Sequence, residues 1–259
     1  MMIDIHNHTP LCKHATGNPE EYVKKAIEKN IKIYGFADHA SMEFDEQYRM
    51  SFSDMPKYEK EIKSLKEKYK DKIKILLGYE VDFTPYVDKR VLERNVDYLI
   101  GSVHFLDNWG FDNPEFIKEW HNRDVDDIYE EYFSKIQDLA KSRLFDIVGH
   151  LDLVKVFGFK PKKNIKDIAK NAIKEIKKAG MAVEINTAGL RKPVKEIYPS
   201  TKLLEMIRDE GIDITFSSDA HKPEDVGYKI NEVIKMAKNL GFSEAVYFEN
   251  RKKQKIKLT

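Results

Sequence analysis

Seven short apolar runs, separated by charged amphipathic stretches, restrict the fold of this 259-residue chain more than any other feature of its sequence. The runs occupy residues 2–5, 31–37, 73–81, 96–103, 144–149, 181–186 and 212–217. Each is rich in β-branched or aromatic residues and almost continuously apolar, which is typical of parallel strands buried on both faces. Apolar residues recur at helical spacing in the stretches at 19–30, 53–70, 124–142, 164–180, 200–211 and 224–241. This alternation predicts βαβ units and a parallel sheet.

The number of units and the chain length favour a barrel over an open sheet. About seven strand–helix units in 259 residues suit one α/β barrel of about 250 residues. We therefore predict a single domain over residues 1–259. The longest irregular stretch, residues 105–123, is predicted to be a loop over the mouth of the barrel.

Composition disfavours several classes of protein. The 45 basic and 44 acidic residues nearly cancel, which argues against a nucleic-acid binder, and we interpret the basic segment 251–257 as a solvated end. A single cysteine cannot form a disulfide framework. We find no signal peptide and no apolar run long enough for a membrane span, so we expect a cytoplasmic chain without a membrane partner. The oligomeric state stays open.

The positions of the eight histidines point to a functional site. Six of them lie at or just after the end of a predicted strand: His6, His8, His39, His104, His150 and His221. Because parallel strands deliver their carboxyl ends to one face of a barrel, these imidazoles should converge. His14 follows His8 closely, whereas His121 lies in a helical pattern and is interpreted as a surface residue.

Spacing and nearby carboxylates indicate metal binding. Side chains at i and i+2 of an extended segment point the same way, so His6 and His8 can hold one ion together. Asp219 and His221 have the same spacing, and Glu80 lies at another strand end. Imidazole with carboxylate suits zinc, iron or manganese, and this many ligands favours two or three ions with Glu80 as a bridge. Asp38 is either a ligand or the partner of a ligating imidazole.

With these residues named, the sequence resembles the PHP (polymerase and histidinol phosphatase) family of metal-dependent phosphoesterases. The resemblance runs through IDIHNHTPLCKHATG, GFADHA, GYEVDF, GHLDLV and ITFSSDAH. The segments HTPLCKHA, VHFLDNWGFD and NTAGLRKPVKEIYP are more similar to the histidinol-phosphate phosphatases of histidine biosynthesis.

The resemblance implies a distorted (β/α)7 TIM-like barrel, the PHP fold, with a site for three divalent ions. It assigns His6, His8, Glu80 and Asp219 to the first ion, and Glu80, His104 and His150 to the second. His14, His39 and His221 would hold the third. Zinc, iron and manganese all remain open as the native metals.

The implied activity is hydrolysis of L-histidinol phosphate, a small-molecule phosphate monoester, to L-histidinol and inorganic phosphate. A hydroxide bridging two ions would attack phosphorus directly, without a phosphoenzyme. The expected catalytic residues are Glu80, Asp219, His221 and Arg191. Arg191 follows the sixth predicted strand, and its planar fork suits a phosphate.

Other substrate contacts are expected around the mouth. Lys155 is a second candidate for the phosphate, although related phosphatases often carry arginine near this position. Trp109, Phe111 and Asp112 could stack on the substrate's imidazole and pair with its amine. Cys12, between His8 and His14, is interpreted as a buried thiol and not as a zinc ligand.

Two alternatives to this function stay open. The first is another PHP activity, such as a nuclease or a phosphatase for nucleotides or sugar phosphates. The near-neutral charge disfavours polymerase-linked proofreading. The second is a metal-binding module without turnover, which the complete ligand set and the presence of Arg191 disfavour.

Overall fold

Parallel strands form the centre of the fold in a computed structural model that describes residues 2–258. The strands are β1 (Met2–Asp4), β2 (Ile31–His39), β3 (Lys74–Asp82), β4 (Tyr98–Ser102), β5 (Phe105–Leu106), β6 (Trp109–Gly110), β7 (Ile147–Val148), β8 (Ala182–Asn186), β9 (Ile214–Ser217), β10 (Glu244–Glu249) and β11 (Lys252–Lys257). The α-helices are α1 (Pro19–Glu28), α2 (Met55–Lys68), α3 (Lys89–Leu92), α4 (Val125–Ser142), α5 (Ile165–Ala179), α6 (Thr201–Asp209) and α7 (Ile230–Asn239). The predicted domain limits, residues 1 and 259, lie outside the described residues, so its extent stays a prediction.

The central sheet is a nearly closed barrel. Within residues 2–258 its seven strands follow the order β1-β2-β3-β4-β7-β8-β9, and every neighbouring pair is parallel. The two ends of this order meet where the Ile5 amide donates to Phe216 O at 3.1 Å and the His8 amide donates to Ala220 O at 3.0 Å. The predicted seven-stranded α/β barrel is therefore confirmed.

The helices follow their sequence signals with one exception. Asn18 and Glu21 form a capping box at the start of α1, and Gly180 ends α5 with a left-handed φ of 71°. The predicted helix over 224–241 is wrong at its start, because φ is 65° at Gly227 and 55° at Lys229 and α7 begins only at Ile230. Across the described residues, we find no helix with both the length and the apolar character needed to cross a membrane.

A buried tyrosine fills the barrel. Tyr98 of β4 is fully buried, and its hydroxyl donates to Ile5 O at 2.5 Å and to Phe36 O at 3.2 Å. A Cβ atom on Gly78 would lie 2.6 Å from the Tyr98 ring. A Cβ atom on Gly35 would lie even closer to the Tyr98 hydroxyl. The two glycines therefore make room for the tyrosine that joins β4 to β1 and β2.

A C-terminal hairpin, β10 with β11, packs at the amino end of the barrel. Arg251 bonds the Asp146 carboxylate ahead of β7, and its amide donates to Asp97 O, ahead of β4, at 2.8 Å. Lys253 donates to Asp213, ahead of β9, at 2.8 Å. The segment 251–257 is thus a strand and its turn, and its side chains of Lys252, Lys255 and Lys257 are exposed, as expected for a solvated basic segment.

The stretch 105–123 is more ordered than the predicted loop. It contains the short hairpin of β5 with β6, followed by a 3-10 helix over Pro114–His121. Trp120 is buried there, and its indole donates to Phe111 O at 2.9 Å. His121 is exposed and contacts Phe159, away from the other histidines.

Candidate metal centre

The carboxyl ends of the barrel strands bring seven imidazoles together. His6 and His8 follow β1, His39 ends β2, and His104 follows β4. His150 and His221 follow β7 and β9, and His14 reaches the group from the loop after β1. Ring centroids of neighbours lie 4.0 Å apart for His8 and His221, 4.7 Å for His14 and His221, and 4.9 Å for His104 and His150. The barrel therefore collects at its mouth every predicted ligand histidine.

The segment after β1 alternates its side chains. His6 and His8 both point their Nε2 atoms at Glu80 Oε2, at 3.2 and 3.7 Å. The intervening Asn7 turns the other way and donates to Asp4 Oδ1 at 3.0 Å and to Gly35 O at 3.0 Å. The i and i+2 residues thus face the site while the residue between them secures the barrel wall.

Glu80 occupies the middle of the cluster. Its Oε1 lies 2.7 Å from His150 Nε2 and 3.5 Å from His104 Nε2. Its Oε2 lies 3.2 Å from His6 Nε2 and 3.0 Å from His39 Nδ1. The side chain is 1% exposed. Each carboxylate oxygen therefore faces a separate set of imidazoles, which is the geometry of a bridging ligand.

The second carboxylate of the cluster is that of Asp219. Its Oδ1 lies 3.1 Å from His8 Nε2 and 3.4 Å from His221 Nδ1, and its Oδ2 accepts from Asn186 at 3.1 Å. The residue has a φ of 51°, a left-handed conformation that aspartate adopts more readily than most residues. The turn after β9 therefore directs one oxygen of Asp219 into the cluster.

The donor atoms of these residues suit divalent cations. Within residues 2–258, the buried atoms His6 Nε2, His8 Nε2, His39 Nδ1 and Asp219 Oδ1 have no hydrogen-bond partner. The ligating atoms of three groups lie within 4.8 Å of one another: His6–His8–Glu80, Glu80–His104–His150 and His14–His39–His221. Buried unpaired nitrogen and oxygen atoms are costly, and a coordinated cation would satisfy them.

Electrostatics keep the two carboxylates charged. Burial opposes the ionised form, yet the imidazoles of His6 and His39 hold the pKa of Glu80 well below its usual range. The pKa of Asp219 is also well below its usual value, because His6 and His8 outweigh burial. A metal cation attracted by these two anionic groups would displace the protons from the imidazoles that bind it.

Three more carboxylates lie behind the imidazoles, and the sequence pattern indicated only Asp38 among them. Asp38 Oδ1 lies 3.3 Å from His8 Nδ1, Glu184 Oε1 lies 2.8 Å from His6 Nδ1, and Asp82 Oδ1 lies 2.8 Å from His104 Nδ1. Glu184 also accepts from the His150 amide at 2.7 Å. A carboxylate on the far nitrogen orients a ligating imidazole. Two features of the sequence could have indicated these residues. Glu184 is a charged residue within the apolar strand AVEIN, and Asp82 lies two residues after Glu80 in its strand.

Cys12 forms a fourth close group with His8 and His221, whose potential ligating atoms also lie within 4.8 Å. The thiol is fully buried, and burial raises its pKa. A neutral thiol is a poor metal ligand, which favours its interpretation as a buried thiol.

Arg191 lies beside Asp219 in the turn after β8. Its Nη2 donates to Ser218 O at 2.7 Å and to Asp219 O at 3.0 Å. Its Nη1 is buried and has no partner among the residues that the structure describes. The guanidinium therefore holds the Asp219 turn and keeps one donor unpaired beside the cluster.

Lys155 is held by acceptors of the protein itself. Its ammonium lies 3.1 Å from Asp152 Oδ2, 2.7 Å from Ile197 O and 3.3 Å from Glu196 Oε2. These contacts join two loops, and the role of Lys155 as a phosphate ligand stays a prediction.

The predicted substrate contacts divide into two places. Burial raises the pKa of the Asp112 carboxyl, and the nearby imidazoles of His104 and His150 oppose this rise. Phe111 is fully buried against Tyr132, so it cannot stack on a ligand. Trp109 lines a separate cavity of about 460 Å³ together with Leu106, Asp107, Asn108, Phe116, Glu119 and Arg123. Only Asp112 of these residues lies near the imidazoles, and the role of Trp109 stays a prediction.

Comparisons with known proteins agree with one another. The family described as PHP domain matches residues 4–188. A "Probable histidinol-phosphatase" of Deinococcus radiodurans is 39% identical over 259 residues, covering 98% of each chain. The "Histidinol-phosphatase" of Bacillus subtilis is 29% identical over 256 residues, covering 87% of this chain and 95% of that protein.

A solved structure has the same fold. The crystal structure of histidinol phosphate phosphatase from Lactococcus lactis, complexed with zinc, L-histidinol and phosphate, superposes with a TM-score of 0.82. It is 24% identical in sequence and covers 98% of both chains.

Proposed function

Because this chain belongs to the PHP domain family, we propose that it is a histidinol-phosphatase, which hydrolyses L-histidinol phosphate to L-histidinol and inorganic phosphate in L-histidine biosynthesis. The main support for this substrate is the 39% identity, over 98% of both chains, to a protein named as a probable histidinol-phosphatase. The reaction class has independent support from the imidazole cluster around Glu80.

The cluster offers ligands for three divalent ions. His6, His8, Glu80 and Asp219 would hold the first, Glu80, His104 and His150 the second, and His14, His39 and His221 the third. Zinc, iron and manganese all suit these donors. When bound, such cations activate water as a nucleophile and neutralise the charge on phosphoryl oxygens.

Two side chains of this protein would bind the substrate itself. The unpaired Nη1 of Arg191 can donate to a phosphate oxygen, while its Nη2 keeps the Asp219 turn in position. Asp112, beside His104 and His150, can accept from the amine of histidinol. The phosphate would thus lie between Arg191 and the cluster, with the amine directed toward Asp112.

A substrate panel tests this function. The purified protein, loaded in turn with zinc, iron or manganese, is assayed on histidinol phosphate, a nucleoside monophosphate, an aryl phosphate and single-stranded DNA. We expect histidinol phosphate to give the highest kcat/KM by at least about 100-fold, since a site that pairs with a substrate amine rejects analogues without one. Equal rates on the nucleotide would support the alternative PHP phosphatase activity, and no turnover with any metal would support an inactive module.

A further inference from the structure

Asp82, the last residue of β3, lies between an imidazole and a guanidinium. Its Oδ1 is 2.8 Å from His104 Nδ1, and its Oδ2 accepts from Arg49 Nη1 at 2.9 Å. The Asp82 and Arg49 side chains are only 1% and 3% exposed. A buried ion pair is stable only when its geometry is well satisfied, so this arrangement is a defined part of the molecule and not a passing surface contact.

The contact with Asp82 determines which nitrogen of His104 is available. When Nδ1–H donates to the carboxylate, the lone pair of the ring resides on Nε2. That atom faces Glu80 Oε1 at 3.5 Å, within the Glu80–His104–His150 group. Asp82 therefore selects the tautomer and the ring orientation that His104 needs to bind a cation.

Arg49 connects this pair to the segment 41–50, between β2 and α2. Its Nε donates to Asp45 O at 3.1 Å, its Nη2 to Asp45 Oδ2 at 2.9 Å, and its Nη1 also to Ala40 O at 3.3 Å. The same segment places the Phe44 ring edge-on to Phe105, with centroids 4.9 Å apart. Since Phe105 directly follows His104, the segment contacts the His104 region from two directions.

We propose that Arg49 and Asp82 are positioning residues for His104, and that through them the segment 41–50 sets the affinity of the Glu80–His104–His150 group for its divalent cation. This inference rests on the proposed metal groups. Without Arg49, one buried oxygen of Asp82 loses its only cationic partner among residues 2–258, and the carboxylate is free to turn away from His104. Lysine would restore the charge, but its ammonium has only three hydrogens, whereas the Arg49 guanidinium makes four bonds with Asp45, Ala40 and Asp82.

Equilibrium zinc binding tests the proposal independently of turnover. The metal-free full chain is titrated with Zn²⁺ in competition with a chromogenic chelator, for the wild type and for Asp82→Asn, Arg49→Gln and Arg49→Lys. We expect Asp82→Asn and Arg49→Gln to weaken one zinc equivalent about 10-fold or more and to leave the other equivalents unchanged. Arg49→Lys should lie between Arg49→Gln and the wild type.

Arg94→Gln is the matched control, because Arg94 pairs with the buried carboxylate of Glu59 away from the cluster. It should lower stability without changing zinc affinity. Wild-type zinc affinities in folded Arg49→Gln and Arg49→Lys would overturn the proposal, even if Asp82→Asn failed to fold. A wild-type protein that binds zinc as described but leaves histidinol phosphate intact would contradict the proposed function alone, whereas a wild type that binds none of zinc, iron and manganese would contradict both.

Discussion

At the level of single residues, the position of Glu80 dominates the candidate site. Its two oxygens face His150 and His104 on one side and His6 and His39 on the other. No other carboxylate among the described residues contacts imidazoles from four strand ends. A change at this residue should therefore affect more than one ion.

Glu80→Gln should abolish most of the activity. The amide keeps the volume of the side chain but loses the charge that attracts cations, so we expect kcat/KM to fall at least about 100-fold, with a lower metal content after dialysis. The measurements are steady-state kinetics and elemental analysis. Glu59→Gln is the control, because Glu59 is a buried glutamate outside the cluster. Equal metal content in the two variants would contradict the bridging role.

Arg191 should matter through the geometry of its fork as well as its charge. Arg191→Ala removes a phosphate donor and releases the Ser218 and Asp219 carbonyls, so we expect KM to rise and kcat to fall, with kcat/KM reduced about 100-fold. Arg191→Lys should recover only part of this loss. The exposed Arg208→Ala serves as a control, and kinetics of Arg191→Ala equal to those of the wild type would refute the assignment.

Local sequence rules predicted which histidines meet, but they could not predict how other charged residues are used. Strand ends and i, i+2 spacing identified six of the imidazoles and Glu80, because a parallel barrel fixes where strands end, whereas His14 was assigned from the family resemblance. The contacts of Lys155 depend on Glu196 and Ile197 O, which lie 41 and 42 residues away along the chain. Contacts at such separations leave no periodic signal in the sequence.

At the level of strands and helices, the close approach of β3 to Tyr98 predicts a packing defect. Gly78→Ala places a methyl group 2.6 Å from the Tyr98 ring, which cannot move without breaking its bonds to Ile5 and Phe36. We expect a loss of about 1–3 kcal/mol in the free energy of unfolding, measured with urea. Gly110→Ala is the control, because its nearest contact would be an ordinary 3.4 Å. Equal stability of the two variants would show that the ring has room to shift.

The contact between α2 and β3 should give stability a pH dependence. Glu59 of α2 accepts from Tyr79 at 3.1 Å and from Arg94 at 2.5 Å. Burial raises the pKa of Glu59, but the hydrogen bonds from Arg94 and Tyr79 lower it by more than burial raises it. The pKa of Glu59 in the folded protein therefore lies below its ordinary value of 4.5. The stabilisation is therefore complete above pH 4.5 and is lost as the pH falls through the lower folded value.

Glu59→Gln should consequently lower the free energy of unfolding at neutral pH by about 1 kcal/mol. The difference from the wild type should shrink in more acidic buffers, as the wild-type carboxyl takes up its proton. Urea unfolding at several pH values measures both quantities. A difference that stays constant below pH 4.5 would exclude the charged hydrogen bonds as its cause.

The sequence located the barrel strands and most helices, but it missed elements defined by long-range pairing. β7 keeps only two residues of the predicted run 144–149, because its neighbours in the barrel limit its pairing. The C-terminal hairpin was missed, since its strand of KKQKIK is too polar to indicate burial. Its position depends on Asp97, Asp146 and Asp213, which lie at the starts of three separate strands.

At the level of the whole molecule, bound cations should contribute to stability. Ligands from β1, β2, β3, β4, β7 and β9 meet in one cluster, so ions bound there connect almost the whole barrel. We expect a chelator to abolish hydrolysis and to lower Tm by roughly 10 °C, because binding only to the folded state adds a few kcal/mol. Calorimetry with and without chelator measures the shift, and readdition of metal should restore both properties. Full activity in excess chelator would contradict the metal-dependent reaction.

The C-terminal hairpin and the imidazole cluster lie at opposite ends of the barrel, which makes the protein suitable for oriented attachment to a solid support. Lys255 is 59% exposed on the hairpin, while the only cysteine of the chain is fully buried. Lys255→Cys would therefore offer one reactive thiol for coupling to a bead or an electrode. Molecules tethered in this way would all present the open end of the barrel to the flowing solution.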